Sequence, residues 1–127
     1  MLKPYYKEFD IQITAANATV KPTFEVDKSV INIHGVSLLS NRPDLMAYRG
    51  SLRLEINKEE IFPDGYSANR LMSSPNVKPN DRAYHIGKNP AGNGLIKIEY
   101  TDTDDGRTIF AAHTVTLCID GEREDGI

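Results

Sequence analysis

The sequence predicts an all-β protein: an antiparallel β-sandwich of about eight strands, jelly-roll-like, with a small β-barrel as the alternative. Three observations predict it. Runs with period-two alternation of apolar and polar residues recur along the chain, and Gly, Pro, Asn and Asp signals separate them about every 8 to 14 residues. Nowhere do two such runs flank a ten-residue helical pattern, so βαβ units are not expected. A chain of 127 residues suits one domain with a core of its own.

Residues 1–8 read as an N-terminal arm, because Pro4 discourages regular pairing and Tyr5 and Tyr6 have no periodic partner. Residues 9–120 form the sandwich domain, and 121–127 an acidic mobile tail. Phe9, Ile11 and Ile13 alternate with Asp10 and Gln12, giving a first strand. Residues 15–18 make a turn. Val20, Phe24 and Val26 share a parity around Pro22, which places that run at a sheet edge or makes it bulged. Ile31 and Ile33 alternate until Gly35, where a bulge hands the inward parity to Val36 and Leu38.

Ser40 to Asp44 is loop, with room for one helical turn after Pro43. Residues 46–56 then read as a strand. Met46, Tyr48, Leu52, Leu54 and Ile56 occupy one face, and Arg49, Ser51, Arg53 and Glu55 the other. Asn57-Lys58 suits a tight reversal into residues 59–62, which Pro63-Asp64-Gly65 ends with a turn signal. Residues 66–72 allow a helical turn or two, 76–78 lie in extended loop between prolines, and 82–86 form a short strand.

The last part of the domain reads as a long hairpin over residues 94–119, turning at Asp102 to Gly106. On its first strand Ile96, Ile98 and Tyr100 share a face. On its second, residues 108–119, the core face is Ile109, Ala111, His113, Val115, Leu117 and Ile119. Phe110, Thr114, Thr116 and Cys118 make a mildly polar second face, suited to a covering segment or a neighbouring subunit. Such a strand runs about 40 Å.

Charge and composition narrow the function. A net charge of −3 and a pI near 5.6 provide no global basic field for nucleic acid or an anionic membrane. One Cys excludes an intrachain disulfide. No amino-terminal apolar run suggests a signal peptide or membrane span, so synthesis and residence in the cytoplasm are expected.

No catalytic set emerges. Asp102, Asp104 and Asp105 are the sharpest cluster and a weak Ca²⁺ candidate, since hard cations want several oxygens. Gly106, however, already stands at the fifth position, and Ala112 occupies the place where an EF-hand requires Glu, so a hairpin turn is the better reading. His34, His85 and His113 have no His or Cys at metal-ligand spacing, and Cys118 lies on the face opposite His113. No Gly-x-Ser-x-Gly motif occurs, and no Lys-Ser/Thr follows Gly92-Asn93-Gly94. No cofactor and no enzymatic activity are therefore expected. The interface candidates are Tyr5, Tyr6, Arg49, Arg53, Phe110, Thr114 and Thr116, because aromatics and Arg favour interfaces and the last three share the second strand face. A ligand-binding sandwich, with Tyr48, Tyr66, Tyr84 or Tyr100 as a stacking platform for carbohydrate or peptide, is the alternative.

The succession Arg42-Pro43-Asp44-Leu45, Tyr48-Arg49-Gly50, Glu60-Ile61-Phe62-Pro63, Pro79-Asn80 and Gly92-Asn93-Gly94 resembles small jelly-roll virion proteins of bacteriophages, over roughly residues 30–119. That resemblance implies a capsid or capsid-associated structural protein that associates with itself and with other structural proteins of the virion.

Overall fold

The computed structural model describes residues 2–72 and 84–124. Among the described residues there are nine strand segments: β1 (Leu2–Ile13), β2 (Thr19–Val20), β3 (Thr23–Glu25), β4 (Val30–Ser40), β5 (Gly50–Ile56), β6 (Glu59–Ser67), β7 (Tyr84–Pro90), β8 (Leu95–Asp102) and β9 (His113–Glu124). One helix, α1 (Pro43–Arg49), and a 3₁₀ turn (Ala68–Leu71) complete the set. Pro22 separates β2 from β3, and both pair with β8, so they act as one interrupted strand and the working count is eight.

The strands form two antiparallel sheets. Sheet A has the order β1-β9-β4-β7, and sheet B the order β2/β3-β8-β5-β6. Four of these ladders nest: β1 with β9, β2/β3 with β8, β4 with β7, and β5 with β6. First pairs with last and inward from there, like one long hairpin wrapped into two layers. That is the jelly-roll arrangement. Among the described residues no ladder joins the two sheets, so the barrel alternative does not apply.

The inner faces meet in a single core. Sheet A contributes Ile11, Ile13, Ile33, Val36, Leu38, Val115, Leu117 and Ile119; sheet B contributes Leu52, Leu54, Ile56, Ile96, Ile98 and Tyr100. Each such aliphatic side chain stabilises the fold by roughly 1.5–3 kcal/mol relative to exposure. Gly35 marks a bulge as expected: pairing slips between Ile33 and Gly35, and both Ile33 and Val36 point inward. Asn57 and Lys58 have φ of 52° and 66°, the two positive values a two-residue primed turn requires.

Several expectations are corrected. Residues 94–119 are not a hairpin, because β8 lies in sheet B and β9 in sheet A. The ten residues between them, 103–112, cross from one layer to the other, and Ile109, expected in the core, is 88% exposed. The core face of β9 is His113, Val115, Leu117 and Ile119; the Thr114, Thr116 and Cys118 face is the half-buried outer surface of sheet A. Residues 2–8 are not a separate arm. They continue β1 and pair with 118–124, so the first four tail residues, 121–124, are strand as well, and 125–127 lie outside the described residues. Pro63-Asp64-Gly65 does not end a strand: Leu54 pairs with Phe62 and Leu52 with Tyr66, leaving the three as a bulge opposite Arg53, with Gly65 at φ 85°. The expected loop at 76–78 and the first residues of the expected strand at 82–86 lie outside the described residues; β7 runs from Tyr84 to Pro90.

Candidate functional site

The densest polar cluster sits where three connections meet at one end of the sandwich: residues 14–18, the β4–β5 corner, and 103–112. The helical turn expected after Pro43 extends to Arg49, so residues 46–49 are helix rather than strand. Pro43 opens the helix with its preset φ, and Leu45, Met46 and Arg49 are the buried positions, one and four residues apart on one helical face. The last of them is a charged residue in the interior. Its side chain is 3% exposed and that of Asp102 is 1% exposed. Parity explains the carboxylate, since Ile98, Tyr100 and Asp102 share the buried face of β8.

The pair is bidentate. Arg49 Nε donates to Asp102 Oδ1 at 3.0 Å and Nη2 to Oδ2 at 2.8 Å. Nη1 donates to the Thr108 carbonyl at 2.7 Å and to Asp104 Oδ1 at 3.4 Å. The guanidinium carbon lies 5.6 Å from the centroid of the Phe110 ring, whose edge-on neighbour is His113 at 5.9 Å. Asn17, at φ 56°, donates its N–H to Asp102 Oδ2 at 3.0 Å and accepts the Asp104 N–H at 2.8 Å. The Arg49 carbonyl accepts the Thr103 N–H at 2.9 Å. The guanidinium thus fastens the β4–β5 corner to residues 103–112, and the Asp102 carboxylate that it grips fastens residues 14–18 through Asn17.

Burial works against the Asp102 charge, but the Arg49 hydrogen bonds and the Asn17 N–H outweigh it and hold the carboxyl below its usual range. Hydrogen bonding to Asp102 raises Arg49 in turn, against desolvation. Asp105 bonds to its own loop: its carboxylate accepts the Thr108 and Arg107 N–H groups, which draw its pKa down to about 2. The three carboxylates of the Ca²⁺ candidate therefore divide between two jobs. Asp102 and Asp104 answer Arg49, Asp105 shapes the loop, and among the described residues no group of three or more acidic, His or Cys side chains is placed to hold a metal.

Two buried polar atoms near this cluster, Tyr100 Oη and His113 Nε2, have no hydrogen-bond partner among the described residues. Tyr100 closes against Gly50, where a Cβ would overlap its hydroxyl and stand 2.7 Å from the Met46 carbonyl. His113 Nδ1 is 2.8 Å from the Ala111 carbonyl.

The interface candidates separate. Arg49 is internal, which corrects its assignment to an exposed strand face. Arg53 is on the outer face of sheet B, bonded to Glu60 at 2.9 Å and Glu55 at 3.2 Å. Phe110 is half-buried over Arg49. Tyr5 points inward, packs against the core, and accepts the Asp27 N–H at 3.4 Å through its hydroxyl. Tyr6, on the opposite face of β1, is 68% exposed. Thr114 and Thr116 lie on the outer face of sheet A and donate to Gln12 at 3.0 Å and Asp10 at 2.8 Å. Of the tyrosines considered as a platform, Tyr100 is buried and Tyr66 stacks on Phe62 at 4.4 Å, with Tyr84 edge-on to the same ring at 5.7 Å. Tyr48, 69% exposed on α1, borders an open groove of about 470 Å³ with Asp105, Arg107 and Thr108.

The acidic outer face of sheet A was missed as a feature. Glu8, Asp10, Asp120 and Glu122 fall on it through the β1–β9 register. Burial raises Asp120, with His34 and His85 pulling the other way. Alternation places these residues on one strand face each, but only the pairing of positions about 110 apart brings the two strands together. No helix among the described residues is long and apolar enough to cross a membrane. No protein-family model, curated protein or solved structure matches this chain.

Proposed function

We propose that this protein is a structural, self-associating component, a capsid or capsid-associated protein of a virion, acting without catalysis. The observation that carries the reading is the open side of sheet A. Its outermost strand, β1, extends through Leu2–Ile13 with a strand partner on one side only among the described residues, and the adjoining outer face exposes Tyr6 and Leu39. A long unblocked edge beside exposed apolar groups suits association with other chains. The jelly roll supports the reading as a scaffold that shell proteins share with lectin domains and cupins, so the fold by itself leaves the choice among them open. The polar cluster at the other end supports it too, because its strongest groups are consumed in holding loops. Size-exclusion chromatography with light scattering tests the proposal: masses of two or more chains are expected, and a single-chain mass across the soluble concentration range rejects it.

A second reading, a carbohydrate- or peptide-binding module, rests on Tyr48 beside its groove. Glycan- and peptide-array binding that Tyr48→Ala abolishes would favour it, whereas arrays without a hit would remove it.

A further inference from the structure

We propose that two copies of this chain associate edge to edge through β1, antiparallel, with Tyr6 on the two-fold axis. The inference rests on the assembly reading above and names the surface that it uses. Strand β9 pairs with β1 along Leu2–Ile13 on one side; on the other, among the described residues, no strand pairs with it. Among the described residues no backbone bond links it to a turn or loop either. In an antiparallel ladder alternate residues aim both backbone groups away from the neighbour, so this edge presents a row of donors and acceptors.

A second β1 fits that row in few ways. The inward residues Lys3, Tyr5, Lys7, Phe9, Ile11 and Ile13 must lie on one side of the joined sheet, and Pro4, Tyr6, Glu8, Asp10 and Gln12 on the other. The axis must then pass through a residue, because an axis between residues would set inward against outward. Like charges directly opposite destabilise a pair, which removes most choices. An axis at Tyr5 sets Lys3 against Lys7; at Lys7, Lys7 against itself; at Glu8, Glu8 against itself; at Phe9, Glu8 against Asp10; and at Asp10, Asp10 against itself.

Axes at Pro4, Ile11 or Gln12 pair no more than residues 2–6, 9–13 or 11–13. Tyr6 alone allows a long register without like-charge opposition. Residues 2–10 pair over about 30 Å. At the centre the two exposed Tyr6 rings meet on the outer face as a directly opposed aromatic pair. On the inner face Lys7 of each copy opposes Tyr5 of the other, and Lys3 opposes Phe9, both cation–aromatic pairings. Lys7 Nζ already lies 6.0 Å from the Phe9 centroid within one chain. Pro4 falls opposite Glu8, at a cost of at most one ladder hydrogen bond in each half. The two copies of sheet A then form one continuous sheet.

The test uses the full chain. Tyr6→Cys combined with Cys118→Ser places a single thiol on the axis; mild oxidation is expected to give disulfide-linked dimer as the main species on a non-reducing gel. Thr101→Cys in the same background, on the outer face of sheet B, is expected to stay single-chain. Tyr6→Asp sets like charges on the axis and should weaken association at least tenfold by light scattering, with an unchanged far-ultraviolet circular dichroism spectrum. A wild-type assembly that fails to crosslink through Tyr6→Cys, or that Tyr6→Asp leaves intact, overturns β1 pairing and leaves the assembly reading standing. A wild-type chain that remains single at its highest soluble concentration overturns both. Should Tyr6→Asp not fold, the crosslink decides alone.

Discussion

The two ends of this molecule's polar chemistry are opposites. Around Arg49 and Asp102 strong hydrogen-bonding groups are buried, matched and closed on themselves: one guanidinium serves two carboxylates and a carbonyl, and the connections it joins lie far apart in sequence. Along β1, among the described residues, the outer side meets no second strand, and Tyr6 is exposed beside it. The same fold therefore keeps some polarity as internal fastening and leaves some at its surface. Substitutions at the first should register as stability, and at the second as association.

The largest effect is expected at the closed end. Arg49→Ala leaves the Asp102 carboxylate buried without its cation, and should lower unfolding stability by about 3–5 kcal/mol in chemical denaturation. The double substitution Arg49→Met with Asp102→Leu should recover most of that loss, because an ion pair out of water contributes little beyond a well-packed apolar pair. If the double variant were as unstable as the single one, Arg49 would act through its loop carbonyl contact rather than through Asp102. Next in size, Gly50→Ala should cost about 1–3 kcal/mol by driving a methyl into the Tyr100 hydroxyl, read in the same denaturation series.

Smaller and opposite in sign are the responses to pH. Asp102 is held below its unfolded value of about 3.9, so its contribution is present above that pH and lost as pH falls through the folded value. Melting temperature should drop in acid, and the Arg49→Met/Asp102→Leu variant should lose part of that drop. Asp120 on the outer face is raised, so its ionisation opposes folding as pH rises. Asp120→Asn should therefore raise the melting temperature near neutrality, with the gain fading toward acid; a fall at neutrality would show that His34 and His85 outweigh its desolvation. The smallest effect on stability is expected for Tyr6→Ala, below about 0.5 kcal/mol, since the ring is exposed.

Much of this architecture was legible in local pattern. Alternation identified the inward residues Phe9, Ile11 and Ile13 of β1, those of β8, and those from His113 to Ile119 in β9; Pro22 marked a break, Gly35 a bulge, and Asn57-Lys58 a reversal. Each is a property of a few adjacent residues. Helix α1 was partly legible: Pro43 announced it, but Met46, Tyr48 and Leu52 also satisfy a period of two, and that coincidence carried the strand reading too far toward the amino terminus. The Arg49 site was hidden for the same reason. Asp102 looked like turn chemistry because it adjoins Asp104, Asp105 and Gly106, although its parity with Ile98 and Tyr100 marked it as an inward carboxylate in need of a cation.

By itself the sequence determined which side of each strand is apolar and where the chain may bend, because side-chain direction and backbone dihedrals are decided within a few residues. Partnership was decided only in the folded molecule. Two adjacent strands with matched parity, β8 and β9, satisfy a hairpin and a crossing between layers equally well, and only the competing partners β1, β4 and β5 choose between them. The pairing of Leu2 with Glu124, and of Arg49 with Asp102, are such choices: contacts that exist because the whole core has closed around them.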